Sequence, residues 1–214
     1  MKKQILCYGD SNTWGHTPGT PGIRYSEEAR WTGILQRRLG SSFHILEAGL
    51  CGRTTTCDDP YDPELNGIRY LPGWLRSTAP LDLVVLMLGT NDLKFQNAWS
   101  AARGVATMIR AIRMHADCFR DGRPQVLLVS PIHVTDAPSP VMSDPDSLFS
   151  RPESLKFSSY YRGFAEDMGV PFLDAASVAE PSPLDGIHLD AAGHAALAAA
   201  LADKITALFT DETA

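Results

Sequence analysis

The sequence lacks the features that mark several large classes of protein. It carries 19 Lys and Arg residues against 25 Asp and Glu residues, a formal net charge of -6, and it contains no run of basic residues. Nucleic-acid-binding proteins concentrate Lys and Arg on one face, so this balance argues against a nucleic-acid partner. The apolar run after Lys2 and Lys3 stops before Gly9, which is too short for a signal peptide or a membrane span. We therefore expect a soluble, unprocessed protein with no membrane partner.

Cysteine and histidine are also sparse, and neither occurs with the spacing of a metal site. The four cysteines are scattered, without a Cys-x-x-Cys pair: Cys7, Cys51, Cys57 and Cys118. Such cysteines are typical of reduced thiols in a cytoplasmic protein rather than of a disulfide framework or a zinc site. Four histidines show no ligand spacing either: His16, His44, His115 and His133. We therefore expect a cytoplasmic protein without a metal ion or another cofactor.

The length and the hydrophobic content bound the number of domains. A chain of 214 residues with 44% hydrophobic residues is long enough for one substantial core and short for two. It has no internal repeat and no linker that would divide it. We therefore expect a single domain over residues 1–214.

The alternation of apolar runs and amphipathic segments predicts the fold class. The nearly unbroken apolar run from Leu81 to Leu88 predicts a central parallel strand that is buried on both faces. Shorter apolar runs predict further strands at residues 4–7, 43–49, 125–130 and 170–174. Helices are predicted over residues 29–39, 66–78, 101–116, 155–168 and 190–209. This alternation predicts a three-layer α/β/α fold with a doubly wound, flavodoxin-like sheet of about five parallel strands.

Proline interrupts this pattern at two places. Pro72 and Gly73 are expected to break the second predicted helix in its middle. Residues 131–152 contain five prolines, and the stretch is too long for a simple connection. We expect the segment at about 132–152 to form a loop or lid over the carboxyl edge of the sheet that determines substrate size.

Polar and glycine residues follow several of the predicted strands. Ser11 follows the first strand, Gly52 lies beyond the second, and Asn91 follows the central one. Asp185 and His188 precede the last helix, with two residues between them. Because the carboxyl ends of parallel strands share one edge of a sheet, we expect these residues to meet.

These residue types match the needs of acyl transfer, which uses a nucleophile, a base, a carboxylate and donors for the oxyanion. Ser11 is the candidate nucleophile, His188 the base, and Asp185 the carboxylate on the other imidazole nitrogen. The backbone N–H groups of Ser11 and Gly52 and the side-chain amide of Asn91 are the candidate oxyanion hole. Replacing Gly52 with alanine would preserve its donor if φ at this position is negative.

Each motif also has an ordinary structural interpretation. Gly-Asp-Ser is a common turn, Asp-x-x-His is a common helix start, and Asn91 can cap the segment after it. His194 is a competing base, but its place among the alanines of the last helix predicts surface or interhelix packing. A non-enzymatic alternative is a flavodoxin-like domain that binds a small ligand. It is disfavoured because no Gly-x-Gly-x-x-Gly or Walker sequence follows a strand and because Asp10 would repel a phosphate.

Four blocks, taken together and in this order, resemble the SGNH (GDSL-type) hydrolases: Gly9-Asp10-Ser11, Gly52, Gly89-Thr90-Asn91-Asp92 and Asp185-x-x-His188. Arg30-Trp31-Thr32-Gly33 and Gly52-Arg53-Thr54-Thr55 further resemble the bacterial arylesterase/acyltransferase branch. The resemblance implies a serine esterase that hydrolyses short-chain esters, such as phenyl or p-nitrophenyl acetate, through an acyl-enzyme. It also implies acyl transfer to alcohols and a homo-oligomer, with a carbohydrate acetyl esterase as the alternative activity.

Four residues are candidates for the pocket that holds a small-molecule ester: Asn12, Trp14, Lys94 and Ile187. Trp14 lies three residues after Ser11, a position that suits either the wall of an apolar pocket, together with the proline-rich loop, or the core. Asn12 replaces the leucine that is usual in the Gly-Asp-Ser-Leu signature of the family that the sequence resembles. We therefore expect the acyl preference to depend on this position.

Overall fold

The computed structural model describes residues 2–135 and 149–211, and its centre is a five-stranded sheet. The strands are β1 (Lys3–Gly9), β2 (Phe43–Gly49), β3 (Leu83–Met87), β4 (Val126–Ser130) and β5 (Phe172–Asp174). All of them pair in parallel, in the order β2-β1-β3-β4-β5. This is the strand order of flavodoxin-like doubly wound folds, so the predicted fold class is confirmed.

Helices cover both faces of this sheet. Those in the described ranges are α1 (Ser11–Trp14), α2 (Trp31–Leu39), α3 (Gly67–Ser77), α4 (Ala98–Met114), α5 (Arg151–Ser154), α6 (Phe157–Met168) and α7 (Ala191–Asp211). Side chains of α2 and α7 form one buried cluster with one face of the sheet, and those of α3, α4 and α6 form a second cluster with the other. None of these helices combines the length and the apolar content that crossing a bilayer requires.

The central strands are apolar because both of their faces are buried. In β1, Ile5 and Cys7 belong to the cluster with α2 and α7, whereas Leu6 and Tyr8 belong to the opposite cluster. All five residues of β3 are buried. Side chains alternate between the two faces of a strand, so every side chain of a strand that is covered on both faces is buried. Apolar residues are therefore favoured at all of its positions.

The prediction that Pro72 and Gly73 break a helix was wrong, because α3 runs without interruption from Gly67 to Ser77. Proline removes one N–H donor from the helix and crowds the preceding turn. The flanking Leu71 and Leu75 are fully buried. Burial of two leucines stabilises the helix by roughly 3–6 kcal/mol, which is enough to offset the cost of one interior proline.

The segment predicted to be a loop at about 132–152 is described only at its ends, and residues 136–148 lie outside the described part of the chain. Its last residues are helical, since α5 begins at Arg151. At the other end Ile132 and Val134 are buried, and the N–H of Thr135 donates to the carbonyl of Gly186 at 2.8 Å. The start of the segment is therefore fastened to the loop that carries Asp185 and His188.

The strand order places the carboxyl ends of β1 and β3 side by side at the centre of one sheet edge. Ligands of open α/β sheets bind in the crevice outside these ends, where the chain reverses its winding direction. Ser11 follows β1 directly, and Asn91 lies four residues after the end of β3. The fold therefore brings the first and third sequence blocks to the same crevice.

Candidate active site

Ser11 is presented by a tight turn between β1 and α1. The carboxylate of Asp10 caps α1 by accepting a hydrogen bond from the N–H of Asn12 at 2.9 Å. A Cβ atom added to Gly9 would lie 2.0 Å from the Oγ1 of Thr13, so no other residue fits before Asp10. Burial raises the pKa of Asp10 to about 6, although the hydrogen bond from Asn12 and the charges of His188 and Arg53 act to lower it. The Gly-Asp-Ser turn therefore has one defined conformation, which fixes the position of the serine side chain.

Ser11, His188 and Asp185 are joined by a continuous chain of hydrogen bonds. The Nε2 of His188 lies 2.9 Å from the Oγ of Ser11, and its Nδ1 lies 2.8 Å from the Oδ2 of Asp185. This order allows the imidazole to take the hydroxyl proton at one nitrogen while the carboxylate fixes the tautomer at the other. Ser11 and His188 are 177 positions apart along the chain and meet only in the fold.

Asp185 is held as a carboxylate by its local backbone. Burial alone would raise its pKa, but the hydrogen bond from the ring of His188 and those from the N–H groups of His188 and Ile187 hold it well below its usual value. Both backbone bonds reach Oδ1 at 3.0 Å. The N–H of Gly19 donates to Oδ2 at 3.2 Å. The negative charge is therefore present at neutral pH beside the imidazole.

A pocket of about 180 Å³ opens at the serine, and its lining contains each predicted oxyanion donor. Its lining residues are Ser11, His16, Cys51, Gly52, Asn91, Lys94, Phe149, Ile187 and His188. The side-chain amide of Asn91 is fixed by donating to the carbonyl of Arg53 at 3.2 Å. The structure thus gathers all five predicted block residues of the site around one cavity or in direct contact with its wall.

Gly52 has a φ of +84°, so the condition under which an alanine would be tolerated there is not met. A Cβ atom would also lie 2.9 Å from the Cδ1 of Leu65. Among the described residues, the N–H of Gly52 makes no hydrogen bond. The position therefore needs glycine, and its N–H is free to donate to a ligand.

The loop that carries Gly52 is anchored by buried polar residues. The carboxylate of Asp92 accepts hydrogen bonds from the N–H of Thr55 at 2.9 Å and from the side chain of Gln96 at 2.8 Å. Burial raises the pKa of Asp92 to about 6, against these bonds. The guanidinium of Arg53 donates to the carbonyls of Gly9, the last residue of β1, and of Ala48, the last residue but one of β2. The loop is thus tied to the ends of three neighbouring strands.

Two of the four predicted pocket residues, Lys94 and Ile187, line the cavity. The other two, Asn12 and Trp14, are not among the residues that line it. Trp14 packs beneath the guanidinium of Arg24, whose Cζ lies 5.4 Å from the indole centroid. Asn12 is buried and bonded on both sides of the histidine: its amide donates to the carbonyl of Ile187 at 3.2 Å, and its Oδ1 accepts from the N–H of Leu189 at 2.9 Å. A polar side chain so fully bonded is not available to substrate.

Three lining residues were not identified from the sequence: His16, Cys51 and Phe149. The rings of His16 and His188 lie 4.3 Å apart between centroids. Burial, and to a smaller extent the charge of His188, lower the pKa of His16, whereas the charge of Asp185 acts to raise it. The one available sequence signal was the position of His16 on the turn that leaves α1.

The thiol of Cys51 is not an activated nucleophile. Burial, and to a smaller extent the charge of Asp10, raise its pKa to about 11.

The structure does not support His194 as a competing base. It is fully buried between α7 and α2, where its Nδ1 accepts a hydrogen bond from the N–H of Trp31 at 3.2 Å. The ring also makes an edge contact with Tyr25. Burial lowers the pKa of His194 to about 4, and Asp190 opposes this shift. Interhelix packing was therefore the correct alternative of the two predicted for this residue, and surface exposure was not.

The depressed pKa of His194 predicts a loss of stability in mild acid. Below pH 6.5 the unfolded chain protonates this histidine, whereas the folded chain does not until about pH 4. The free energy of unfolding should therefore fall by about 2 kcal/mol more between pH 7.5 and pH 5 in the wild type than in His194→Gln, which cannot titrate. Urea unfolding of both proteins at the two pH values measures this difference. Equal losses in the two proteins would show that His194 does not contribute to it.

Comparisons with known proteins agree with this geometry. A model of the GDSL-like Lipase/Acylhydrolase family matches residues 7–196. The native aryl esterase of M. smegmatis is 39% identical, with a TM-score of 0.89, over 96% of this chain and 99% of that one. The carbohydrate acetylesterase Est24 from Sinorhizobium meliloti is 39% identical, with a TM-score of 0.89, over 97% of this chain and 100% of that one.

A putative arylesterase from Agrobacterium tumefaciens is 36% identical, with a TM-score of 0.86, over 95% of this chain and 98% of that one. A search of curated protein sequences gave no match. The family model and the solved structures each extend over nearly the whole length of the chain, and they agree on one assignment. The chain belongs to the GDSL-like lipase/acylhydrolase family.

Proposed function

We propose that this member of the family is a serine esterase for short-chain carboxylic esters, with Ser11 as nucleophile, His188 as general base and Asp185 as the orienting carboxylate. The observation that carries this proposal is the hydrogen-bond chain from Asp185 through His188 to Ser11, which ends at the mouth of a pocket of about 180 Å³. The nucleophile, base and carboxylate stand in the order that acyl transfer requires.

The proposed reaction proceeds through an acyl-enzyme. The Nε2 of His188 accepts the proton of the Ser11 hydroxyl as Oγ forms a bond to the ester carbonyl carbon. The resulting imidazolium then gives that proton to the leaving alcohol oxygen, and the bond between that oxygen and the carbonyl carbon breaks. A water molecule repeats both steps on the acyl-enzyme and releases the acid. An alcohol in place of water would give a new ester, and we propose acyl transfer as a side reaction.

The proposed oxyanion hole consists of the N–H groups of Ser11 and Gly52 and the side-chain amide of Asn91. Its support is that all three residues line the pocket into which Ser11 opens. The amide of Asn91 is oriented in advance by its bond to the carbonyl of Arg53. Donors fixed before the reaction stabilise the tetrahedral oxyanion without having to reorganise.

Asn91→Ala is expected to lower kcat about 10²–10³-fold, because it removes one donor to the oxyanion. KM should change far less, since this interaction strengthens only in the transition state. Gly52→Ala is expected to lower kcat at least about tenfold, because the positive φ and the contact with Leu65 force its N–H to move. Steady-state hydrolysis of p-nitrophenyl acetate measures both effects.

The matched control for Gly52 is Gly163→Ala, because a Cβ atom added to Gly163 in α6 meets nothing within 4 Å. It should hydrolyse the ester at the wild-type rate. Full activity of Gly52→Ala would remove the backbone N–H of this residue from the oxyanion hole. A fall in kcat of Asn91→Ala by less than threefold would do the same for the side-chain amide.

Asn12 is proposed to position the base, because it bonds the backbone on both sides of His188. Asn12→Leu restores the usual family residue but leaves the carbonyl of Ile187 and the N–H of Leu189 without these partners. Each unsatisfied buried group costs about 1–3 kcal/mol, so the loop should shift and kcat should fall about 10–100-fold. Asn97→Ala, which removes only the cap of α4, should leave kcat unchanged. Wild-type kcat in Asn12→Leu would show that the two bonds do not position the histidine.

The natural acyl group is proposed to be short. A pocket of about 180 Å³ lies below the roughly 300–1,000 Å³ of pockets that take drug-sized ligands. Rates on p-nitrophenyl esters from acetate to octanoate test this proposal, and kcat/KM should be highest for acetate or propionate. Equal or higher values for octanoate would contradict it.

A carbohydrate acetyl esterase is the second candidate, and Lys94 is the observation that favours it. Lys94 lines the pocket, and within the described ranges its ammonium forms no ion pair. Burial lowers the pKa of Lys94, although the charges of Asp59, Asp10 and Asp92 act to raise it. Among the described residues this ammonium also donates no hydrogen bond, and its three N–H donors suit the hydroxyl groups of a sugar. A higher kcat/KM on acetylated xylose than on phenyl acetate would select this candidate over the aryl esterase.

We also propose that residues 1–214 act as a single domain in which the segment at about 132–152 sets substrate size. The support is that Thr135 and Phe149 reach the active-site loop and the pocket, respectively. A cytoplasmic location is supported by the four cysteines, which are all free. A homo-oligomer is supported by the resemblance to the arylesterase branch, and sedimentation analysis of the purified protein tests it.

A further inference from the structure

Three metal-ligating side chains meet at the mouth of the site: His16, Asp185 and His188. One ligand atom from each lies within 4.8 Å of the other two. The two imidazole rings are 4.3 Å apart between centroids and tilted by 43°. The side chains of Asp185 and His188 each keep 16% of their surface exposed, and His16 is only partly buried. A small ion therefore reaches the cluster from solvent without opening the fold.

The backbone holds all three side chains near one another. The N–H of His16 donates to the carbonyl of Ser11 at 3.0 Å, and His16 pairs with Arg24 in an isolated antiparallel bridge. Asp185 is fixed by the N–H groups of Ile187 and His188. The imidazole of His16 makes no hydrogen bond to another described residue. Its ring is therefore free to turn toward an ion, while the other two ligands are held beside each other.

Two imidazole nitrogens and one carboxylate oxygen are a donor set that binds Zn²⁺ well. With Zn–N and Zn–O distances of about 2.0–2.2 Å, ligand atoms on one tetrahedral ion lie roughly 3.4 Å apart. The three ligand atoms lie within 4.8 Å of one another, so the widest pair closes by up to roughly 1.4 Å. Oδ2 of Asp185 and Nδ1 of His188 lie 2.8 Å apart and must separate by roughly 0.6 Å when both bind the ion. Rotation about the side-chain torsions of the three ligands provides these movements. Mg²⁺ prefers a shell of oxygen ligands and suits the cluster poorly.

We propose that His16, Asp185 and His188 form an inhibitory binding site for a divalent transition-metal ion such as Zn²⁺, with water as the fourth ligand. The ion binds His188 at Nδ1, the ring nitrogen that faces Asp185. There it displaces the proton that Nδ1 shares with Asp185, and the single proton of the neutral ring moves to Nε2. A protonated Nε2 cannot accept the hydroxyl proton of Ser11.

Binding is tested separately from catalysis, so that its outcome does not depend on the proposed roles of the triad. Zn²⁺ chloride is titrated calorimetrically into Ser11→Ala, which keeps all three ligands, and into the double variant that adds His16→Phe. Phenylalanine preserves a ring against His188 but offers no ligand atom. The parent variant should bind one Zn²⁺, and the double variant should bind it at least tenfold more weakly. Zn²⁺ should also raise the Tm of the parent variant, because it binds the folded state.

Inhibition is tested on the enzyme with the wild-type serine. Zn²⁺ should inhibit hydrolysis of p-nitrophenyl acetate, EDTA should reverse the inhibition, and Mg²⁺ at the same concentration should have no effect. Relative to its own metal-free rate, His16→Phe should need at least tenfold more Zn²⁺ for half-inhibition. His16→Gln is a second variant with the same expected result, and it serves if the phenylalanine variant does not fold.

Two control variants exclude other ligands. His44→Gln removes an exposed histidine on β2, and Cys51→Ser removes the thiol of the same pocket. Both should bind Zn²⁺ as tightly as their parent. The proposal is overturned if no Zn²⁺ binds at millimolar concentration, if both His16 variants bind it with unchanged affinity, or if Cys51→Ser loses binding as His16→Phe does.

Discussion

Ser11→Ala is expected to lower kcat for ester hydrolysis by a factor on the order of 10⁶, by analogy with the loss of the nucleophile in a serine protease. The side chain of Ser11 bonds only to His188 among the described residues, so its removal should leave the fold intact. An unchanged Tm would establish this. An organophosphonate should add one covalent group to the wild type and none to the variant, as measured by intact-protein mass spectrometry.

The matched control is Ser130→Ala, at the carboxyl end of β4. The hydroxyl of Ser130 is buried and donates to the carboxylate of Asp174 at 2.8 Å, so it is held in a structural bond rather than presented to the pocket. Ser130→Ala should be labelled as readily as the wild type. If labelling persisted in Ser11→Ala and disappeared in Ser130→Ala, the nucleophile would be Ser130 on β4, and the assignment to Ser11 would be wrong.

The fold was predictable because its signal lies in local runs of residues. A strand buried on both faces requires an unbroken apolar run, and the run from Leu81 to Leu88 contains all of β3. The start of α7 was predictable from a local signal too, since the capping residue Asp190 accepts a hydrogen bond from the N–H of Gly193 at 2.8 Å. The error at Pro72 has the opposite cause. Helix propensity is local, but the burial of neighbouring side chains that overrides it depends on tertiary packing.

The composition of the site was predictable because catalysis restricts residue types, whereas the direction of side chains was not. Asn12 follows Ser11 in the chain, yet its amide turns away from substrate and bonds the histidine loop. The φ of Gly52 depends on how its loop is anchored by Asp92 and Thr55. His16 approaches His188 only because the fold closes a loop between distant segments. Spacing along the sequence contains none of this information.

Asp185→Asn is expected to lower kcat by about 10⁴, as the equivalent change does in a serine protease. Oδ1 of Asp185 accepts two backbone N–H groups, so the carbonyl oxygen of an asparagine would take that position. The amide N–H₂ would then face the Nδ1 of His188 and the N–H of Gly19. Facing a donor, Nδ1 must give up its proton, and the proton of the neutral ring moves to Nε2. A protonated Nε2 cannot accept the hydroxyl proton of Ser11.

The loss should appear in kcat rather than in KM, because Asp185 does not line the pocket and the changed tautomer acts on proton transfer. Reaction with an organophosphonate should slow in parallel, since it uses the same activated hydroxyl. Asp190→Asn is the matched control: its carboxylate caps α7 by accepting the N–H of Gly193, which an amide oxygen also accepts, so kcat should stay within about twofold of wild type. If Asp185→Asn retained more than about a tenth of wild-type kcat with an unchanged Tm, the carboxylate would not determine the tautomer of His188. The bonds of Asn12 to the backbone on either side of the ring would then be the main constraint on the base.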